Sequence, residues 1–184
     1  MSEEHSPSRI ILIIIAAIVI PIVVIGGYVW ANREPIPYSG QVLSVNVYPI
    51  HRDFKQPTTT EGLGGQAETY DEMLVLADVR IRDTAKVPLF IHDMWAVANL
   101  PDETDRSTAA SSSDFDKVFI AYPDLKQFQK APLPRDLTLQ PGDQVEGQMI
   151  FHYQLSKAQW DSRNGMDINI SFLHQNPLVL HVSK

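Results

Sequence analysis

The stretch Met73–Arg82, MLVLADVRIR, decides the fold of this chain. Met73, Val75, Ala77, Val79 and Ile81 fall on every second residue, while the intervening positions end in Asp78, Arg80 and Arg82. A period of two belongs to a strand, whose successive side chains point to opposite faces; a helix would need apolar residues three and four apart. Working outward, the alternation recurs at Leu43, Val45 and Val47, and again at Leu89, Ile91, Trp95 and Val97, where Asp93 interrupts it. It returns at Val118, Ile120 and Tyr122, and at Val145, Met149, Phe151 and Tyr153. Ile168, Ile170 and Phe172, then Leu178, Leu180 and Val182, complete the series. Seven strand candidates with almost no helical period predict an all-β, antiparallel sandwich. The one short helix expected is Ser156–Asp161, with Ser156 as its cap.

The turn chemistry agrees. Gln140-Pro141-Gly142-Asp143 places proline and then glycine at the centre of four residues, the pattern of a type II turn. Arg163-Asn164-Gly165-Met166 offers Asn-Gly, a tight-turn signal, and Asn176-Pro177 separates the last two strands. Two long stretches, 56–69 and 101–114, are rich in Ser, Thr, Gly and Ala and read as solvated loops.

Before all this lies Ile10–Trp30, IILIIIAAIVIPIVVIGGYVW, with nine Ile, four Val, one Leu and no charge. As a helix at about 1.5 Å per residue it spans roughly 31 Å, the hydrocarbon thickness of a bilayer. It is expected to be a permanent transmembrane helix, kinked where Pro21 removes a backbone hydrogen bond. A cleaved signal is the alternative, with Val29-Trp30-Ala31 as the cleavage site; the acidic leading tail and the length of the run favour an anchor. Tyr28, Trp30 and Tyr38 read as an aromatic belt at the outer membrane interface. The expected organisation is a cytoplasmic tail 1–9, a spanning helix 10–30, a proline-containing linker 31–40 and an extracytoplasmic sandwich 41–184. The expected location is the cell inner membrane, single-pass, with the N-terminus cytoplasmic and the C-terminal domain on the periplasmic or extracellular side.

The late strands, with Leu137-Thr138-Leu139, Pro141-Gly142, Gly147 and Phe151, resemble the immunoglobulin-like or telokin-like extracytoplasmic domains of uncharacterised bacterial membrane proteins. The resemblance covers about residues 40–184 and implies an immunoglobulin-like sandwich in an exported location. It carries over no active-site residue. The immunoglobulin cysteine pair is missing, although Trp95 sits on the third strand, where such folds keep a core tryptophan.

The body after the anchor holds 20 acidic and 14 basic residues, a net charge of about −6, which disfavours nucleic acid and anionic lipid as general partners. With no cysteine in the chain, blue-copper and thiolate-based copper-delivery chemistry are excluded, as are disulfides. No G-x-S-x-G elbow marks a serine nucleophile, and the paired acids Asp71-Glu72 and Asp102-Glu103 stand in polar stretches where burial would not tune them. Gly62-Leu63-Gly64-Gly65 lacks the lysine of a phosphate-cradling loop. His92-Asp93-Met94 is the local cluster that stands as a weak candidate for metal ligation, although His92 reads more simply as an exposed face of its strand and Asp93 as an acceptor of backbone hydrogen bonds at a bulge. The expectation is a non-catalytic protein without cofactor or metal. It binds the bilayer through residues 10–30 and a protein partner in the membrane or envelope, as an accessory subunit or interaction module. The alternative is a metal or cofactor carrier using the histidines.

Overall fold

The protein is described by a computed structural model covering residues 7–31, 38–54 and 68–184, with side chains placed for 15–31, 38–53 and 70–184. Most of the leading tail, the Glu34–Pro37 core of the linker and most of the 56–69 stretch lie outside the described residues. The chain divides into two compact units, Met1–Pro35 and Ile36–Lys184.

The first unit contains helix α1, Pro7–Ala31, which runs through Pro21. From Ile15 onward its apolar side chains are exposed on every side, as at Ile18, Ile22, Val24 and Ile25. Among the residues whose side chains are described, no helix is long and apolar enough to cross a membrane. That described part of α1 spans 17 residues, shorter than the sequence run Ile10–Trp30.

The second unit is a sandwich of two antiparallel sheets. Strands β1 (Tyr38–Phe54), β2 (Glu68–Asp83) and β6 (Gln144–Tyr153) form the first, in the order β1-β2-β6. Strands β4 (Thr104–Thr108), β3 (Leu89–Asn99), β7 (Gly165–Phe172) and β8 (Leu178–Val182) form the second in that order, and the two-residue β5 (Thr138–Leu139) joins the start of β3. The core between the sheets is built from the alternation that the sequence displays: Met73, Val75, Ala77, Val79 and Ile81 of β2 face Ile168, Ile170 and Phe172 of β7, with Met149, Phe151 and Tyr153 of β6.

Six of the seven expected strands are present, and β4 and β5 bring the total among the described residues to eight. The fourth, around Val118, is instead helix α2, Ser112–Ala121, followed by a 3₁₀ turn at Pro123–Phe128. Its period is set by Phe115 and Phe119, four residues apart and both buried, whereas Ile120 points outward at 75% exposure. Ser111 caps the helix by accepting the Asp114 amide. The 101–114 stretch is therefore not one loop, since β4 and the start of α2 occupy it.

Phe115, Phe119 and Leu125 pack on Ile50, Leu74, Leu76 and Ile150, the outward side of the first sheet. Residues 73–79 of β2 are consequently buried on both faces. The segment that leaves this roof returns along the free edge of β6: Leu133 N donates to Gln148 O at 3.0 Å and Gln148 N to Ala131 O at 2.8 Å. Ala110 N occupies Ile150 O and the Ser107 hydroxyl accepts from His152 N. An edge that would otherwise offer unpaired backbone groups is thereby sealed.

Local expectations are met at several points. Helix α3, Lys157–Ser162, carries a capping box in which Ser156 and Gln159 satisfy each other's backbone amides. Gly142 has φ +90° and Asp143 N donates to Gln140 O at 2.9 Å, as the Pro-Gly turn requires. Asn164-Gly165 makes no hairpin; Gly165 opens β7 directly after α3, pairing with Asn99.

Candidate functional site

Nothing among the described residues roofs the outward side of the second sheet. Its residues lie in rows across the strands: Thr108, Trp95, Asn169 and Val179 in one, Arg106, Val97, Asp167 and His181 in the next. The alternation predicted Trp95 and Val97 inward. A bulge between Ile91 and Asp93 adds one residue, so that Met94, Ala96 and Ala98 enter the core and Trp95 turns outward. The Asp93 carboxylate stabilises the bulge by accepting from Met94 N at 2.8 Å. The core-tryptophan expectation is thus corrected: Trp95 is half buried, with the Arg106 guanidinium stacked 4.6 Å from its ring centre. A bulge at Leu43 in β1 acts in the same way, sending Val42 rather than Leu43 toward the core.

In the second row Asp167 accepts from Asn99 Nδ2 at 3.0 Å and lies 2.5 Å from His181 Nδ1. The Asn99 hydrogen bond, helped by His181, outweighs partial desolvation and holds the Asp167 carboxyl below the usual carboxylate range. The face is therefore half apolar and half polar, and its acid, Asp167, is already partnered. Its exposed apolar groups gather in two places: Trp95, Val97 and Val179 in the middle, and Phe90 with Leu173 at the corner where β3 starts and β7 ends.

A different chemistry occupies the end of the sandwich formed by the end of β1, the start of β2 and the end of β6. His51 Nδ1 lies 2.6 Å from Asp71 and its Nε2 lies 3.4 Å from Asp53, while His152 Nε2 lies 3.4 Å from Glu72. A polar depression of about 460 Å³ opens beside them, lined by Glu103, Asp105, Arg106, His152 and Gln159 among others. The hydrogen bond to Asp71 and the charge of Asp53 push the His51 imidazole up. All of these groups are open to water, which screens them.

The sequence-derived candidates do not converge. His92 is exposed and Met94 is in the core, with the bulged Asp93 between them, so the three cannot turn their donors on one point. Among the described residues no group of three or more His, Cys, Asp or Glu could hold a metal ion. Tyr28 and Trp30 lie exposed on α1. Tyr38, in the second unit, is 6% exposed in the core of the body, its ring 4.7 Å from that of Phe172 and its hydroxyl donating to Asn176 O. An apolar surround on the first strand claimed this ring, a contact no local spacing reveals. The two-row face was equally hidden, because the bulge that creates it depends on one aspartate.

No protein-family model matches this chain, and no curated protein does. A solved structure, the X-ray structure of Northeast Structural Genomics Consortium target SoR45, is 8% identical, with 76% of this chain and 83% of that chain covered and a TM-score of 0.33. At that level of likeness neither fold nor activity transfers.

Proposed function

We propose that this chain is a single-pass, membrane-anchored extracytoplasmic protein that acts by contact rather than by catalysis, as an accessory subunit of a membrane complex or an envelope interaction module. The observation that carries the reading is the unroofed side of the second sheet, where Trp95, Val97 and Val179 stand partly exposed beside an Asp167 carboxylate already satisfied by Asn99 and His181. Such a mixture of an aromatic, aliphatics and a stacked arginine suits a protein partner. The anchor is supported by the apolar run Ile10–Trp30 and by the apolar surface α1 exposes on all sides from Ile15, which water disfavours and lipid accepts. As part of the same proposal the body is an immunoglobulin-like domain, a reading that draws on its two facing antiparallel sheets.

The test is site-specific photocrosslinking of the full chain in intact membranes. A photoreactive residue at Val97 or Asn169 should capture a discrete partner that the same group at Asp116, on α2, does not. Val97→Arg should abolish capture while leaving the chain folded. Capture from Asp116 alone, or a body protected from protease added to spheroplasts while an exported control is digested, would refute the reading.

A further inference from the structure

The corner of the second sheet has a composition unlike the middle. Phe90 and Leu173 are cross-strand neighbours, joined by Leu173 N donating to Phe90 O at 3.0 Å, and each is 45% exposed. Val87, three residues earlier in the connection from β2 to β3, is 56% exposed. Arg82 and Lys86, both exposed, flank that connection. Large apolar side chains at loop tips bordered by cations match what the boundary between headgroups and acyl chains accepts.

The corner lies at the end of the body where the chain enters. Tyr38, the first residue of β1, stacks on Phe172 and donates to Asn176 O, both in the same passage from β7 to β8 that carries Leu173. Six residues of sequence separate Ala31, where α1 ends, from Tyr38, where β1 begins. The opposite end of the sandwich carries Asp53, Asp71, Glu72, Glu103 and Asp105 against Arg52 and Arg106, an acidic excess that an anionic surface repels, while at the near end an exposed acid, Asp143, stands by the end of β2 close to Arg82.

We propose that Val87, Phe90 and Leu173 seat this corner in the lipid interface, with Lys86 and Arg82 at headgroup level, so that the body stands on the bilayer in a fixed attitude. This rests on the anchored reading above. It gives the middle of the same sheet its role, since seating the corner orients the Trp95 row to face sideways along the membrane, toward neighbouring membrane proteins.

Because the chain has no cysteine, single-cysteine variants can be labelled cleanly. The full chain is reconstituted into phosphatidylcholine–phosphatidylglycerol liposomes with an environment-sensitive fluorophore at Phe90→Cys, Leu173→Cys, Ile20→Cys or Asp105→Cys; lipids spin-labelled near the headgroup serve as quenchers for positions 90, 173 and 105, and lipids spin-labelled near the end of the acyl chain for position 20, the middle of the run Ile10–Trp30. Blue-shifted emission that is quenched at positions 90 and 173 but not at 105 supports the proposal, and Val87→Asp should weaken that quenching. Quenching at Ile20→Cys alone overturns the seated corner and leaves the anchor standing. No quenching at Ile20→Cys overturns the anchor, and the corner with it.

Discussion

The two sheets share a core yet differ completely on their outward sides. On the first, Ile50, Leu74, Leu76 and Ile150 are apolar, and the excursion between residues 109 and 133 folds down over them as a helical roof. On the second, the outward positions read Trp95, Val97 and Asn99, then Asp167, Asn169 and Ser171, and nothing described covers them. The difference teaches that the roof follows the outward residues rather than the topology: a third layer forms where the second side of a sheet is also apolar. A side that is half polar and internally hydrogen-bonded is left for something outside the chain.

The sharpest way to break this contrast is to hollow out the roof. Phe119 is 2% exposed and meets Phe115 edge-on at 5.3 Å. Phe119→Ala should cost about 3–5 kcal/mol, measured by urea unfolding of the full chain in detergent. A loss below about 1 kcal/mol would mean that α2 rests on the sheet without packing into it, and the two sides would then be alike.

Next comes the seal on β6. A Cβ on Gly147 would meet Leu133 Cα at 2.6 Å and Leu133 N at 2.7 Å, backbone atoms that cannot swing aside. Gly147→Ala should therefore cost about 1–3 kcal/mol and raise hydrogen exchange at the amides of Leu133 and Gln148, which hold the returning segment. The same substitution at Gly142, where nothing lies within 4 Å but φ is +90°, should cost less and leave those amides protected.

Among the described residues, the roofed side also contains one buried charge. Asp78 is 3% exposed and accepts from Ser44 at 2.5 Å, Lys130 at 2.5 Å and Gln148 at 2.8 Å, while Gln148 holds Phe128 O as well. Burial would raise its carboxyl, but the Lys130, Ser44 and Gln148 hydrogen bonds prevail and hold it below the usual carboxylate range. A folded pKa below the unfolded value of about 3.9 gives stability that is complete above that pH and lost as pH falls through it toward the folded pKa. Asp78→Asn should cost about 1–3 kcal/mol at pH 7 and flatten the acid limb of a stability profile. An unchanged acid limb would mean that Lys130, whose side chain is 58% exposed, leaves the pair to solvent.

How much of this was readable beforehand depends on what each residue's neighbours had to supply. The inner sides of β2, β6, β7 and β8 were legible because strict alternation needs no partner to be recognised. The roof was signalled too: Leu74 and Leu76 sit on the side of β2 opposite its core residues, and Phe115 and Phe119 recur at helical spacing, but the Ser-rich run before them and the spacing of Val118, Ile120 and Tyr122 imitated a loop and a strand. The unroofed rows were not legible. A bulge at Asp93 is expected from the sequence, but the shift of one in the period that turns Trp95 and Val97 outward shows only where the Asp93 carboxylate meets its neighbour's amide. The packing of Tyr38 was equally hidden, since the ring of Phe172 that meets it lies far along the chain.

The smallest predicted effect tests the unroofed side directly. Arg106 stacks on Trp95 from the neighbouring strand, and both are partly open to water, so their coupling should be about 0.5–1 kcal/mol in a double-mutant cycle of Trp95→Ala and Arg106→Ala. Trp95→Ala alone should shift urea unfolding far less than Phe119→Ala, while removing the largest side chain of the row proposed to meet a partner. Stability and capture are therefore expected to separate on this side and to fall together on the roofed one. If Trp95→Ala destabilised the isolated chain as much as Phe119→Ala, the tryptophan would belong to the fold's own packing, and the surface assigned to a partner would have to be sought elsewhere.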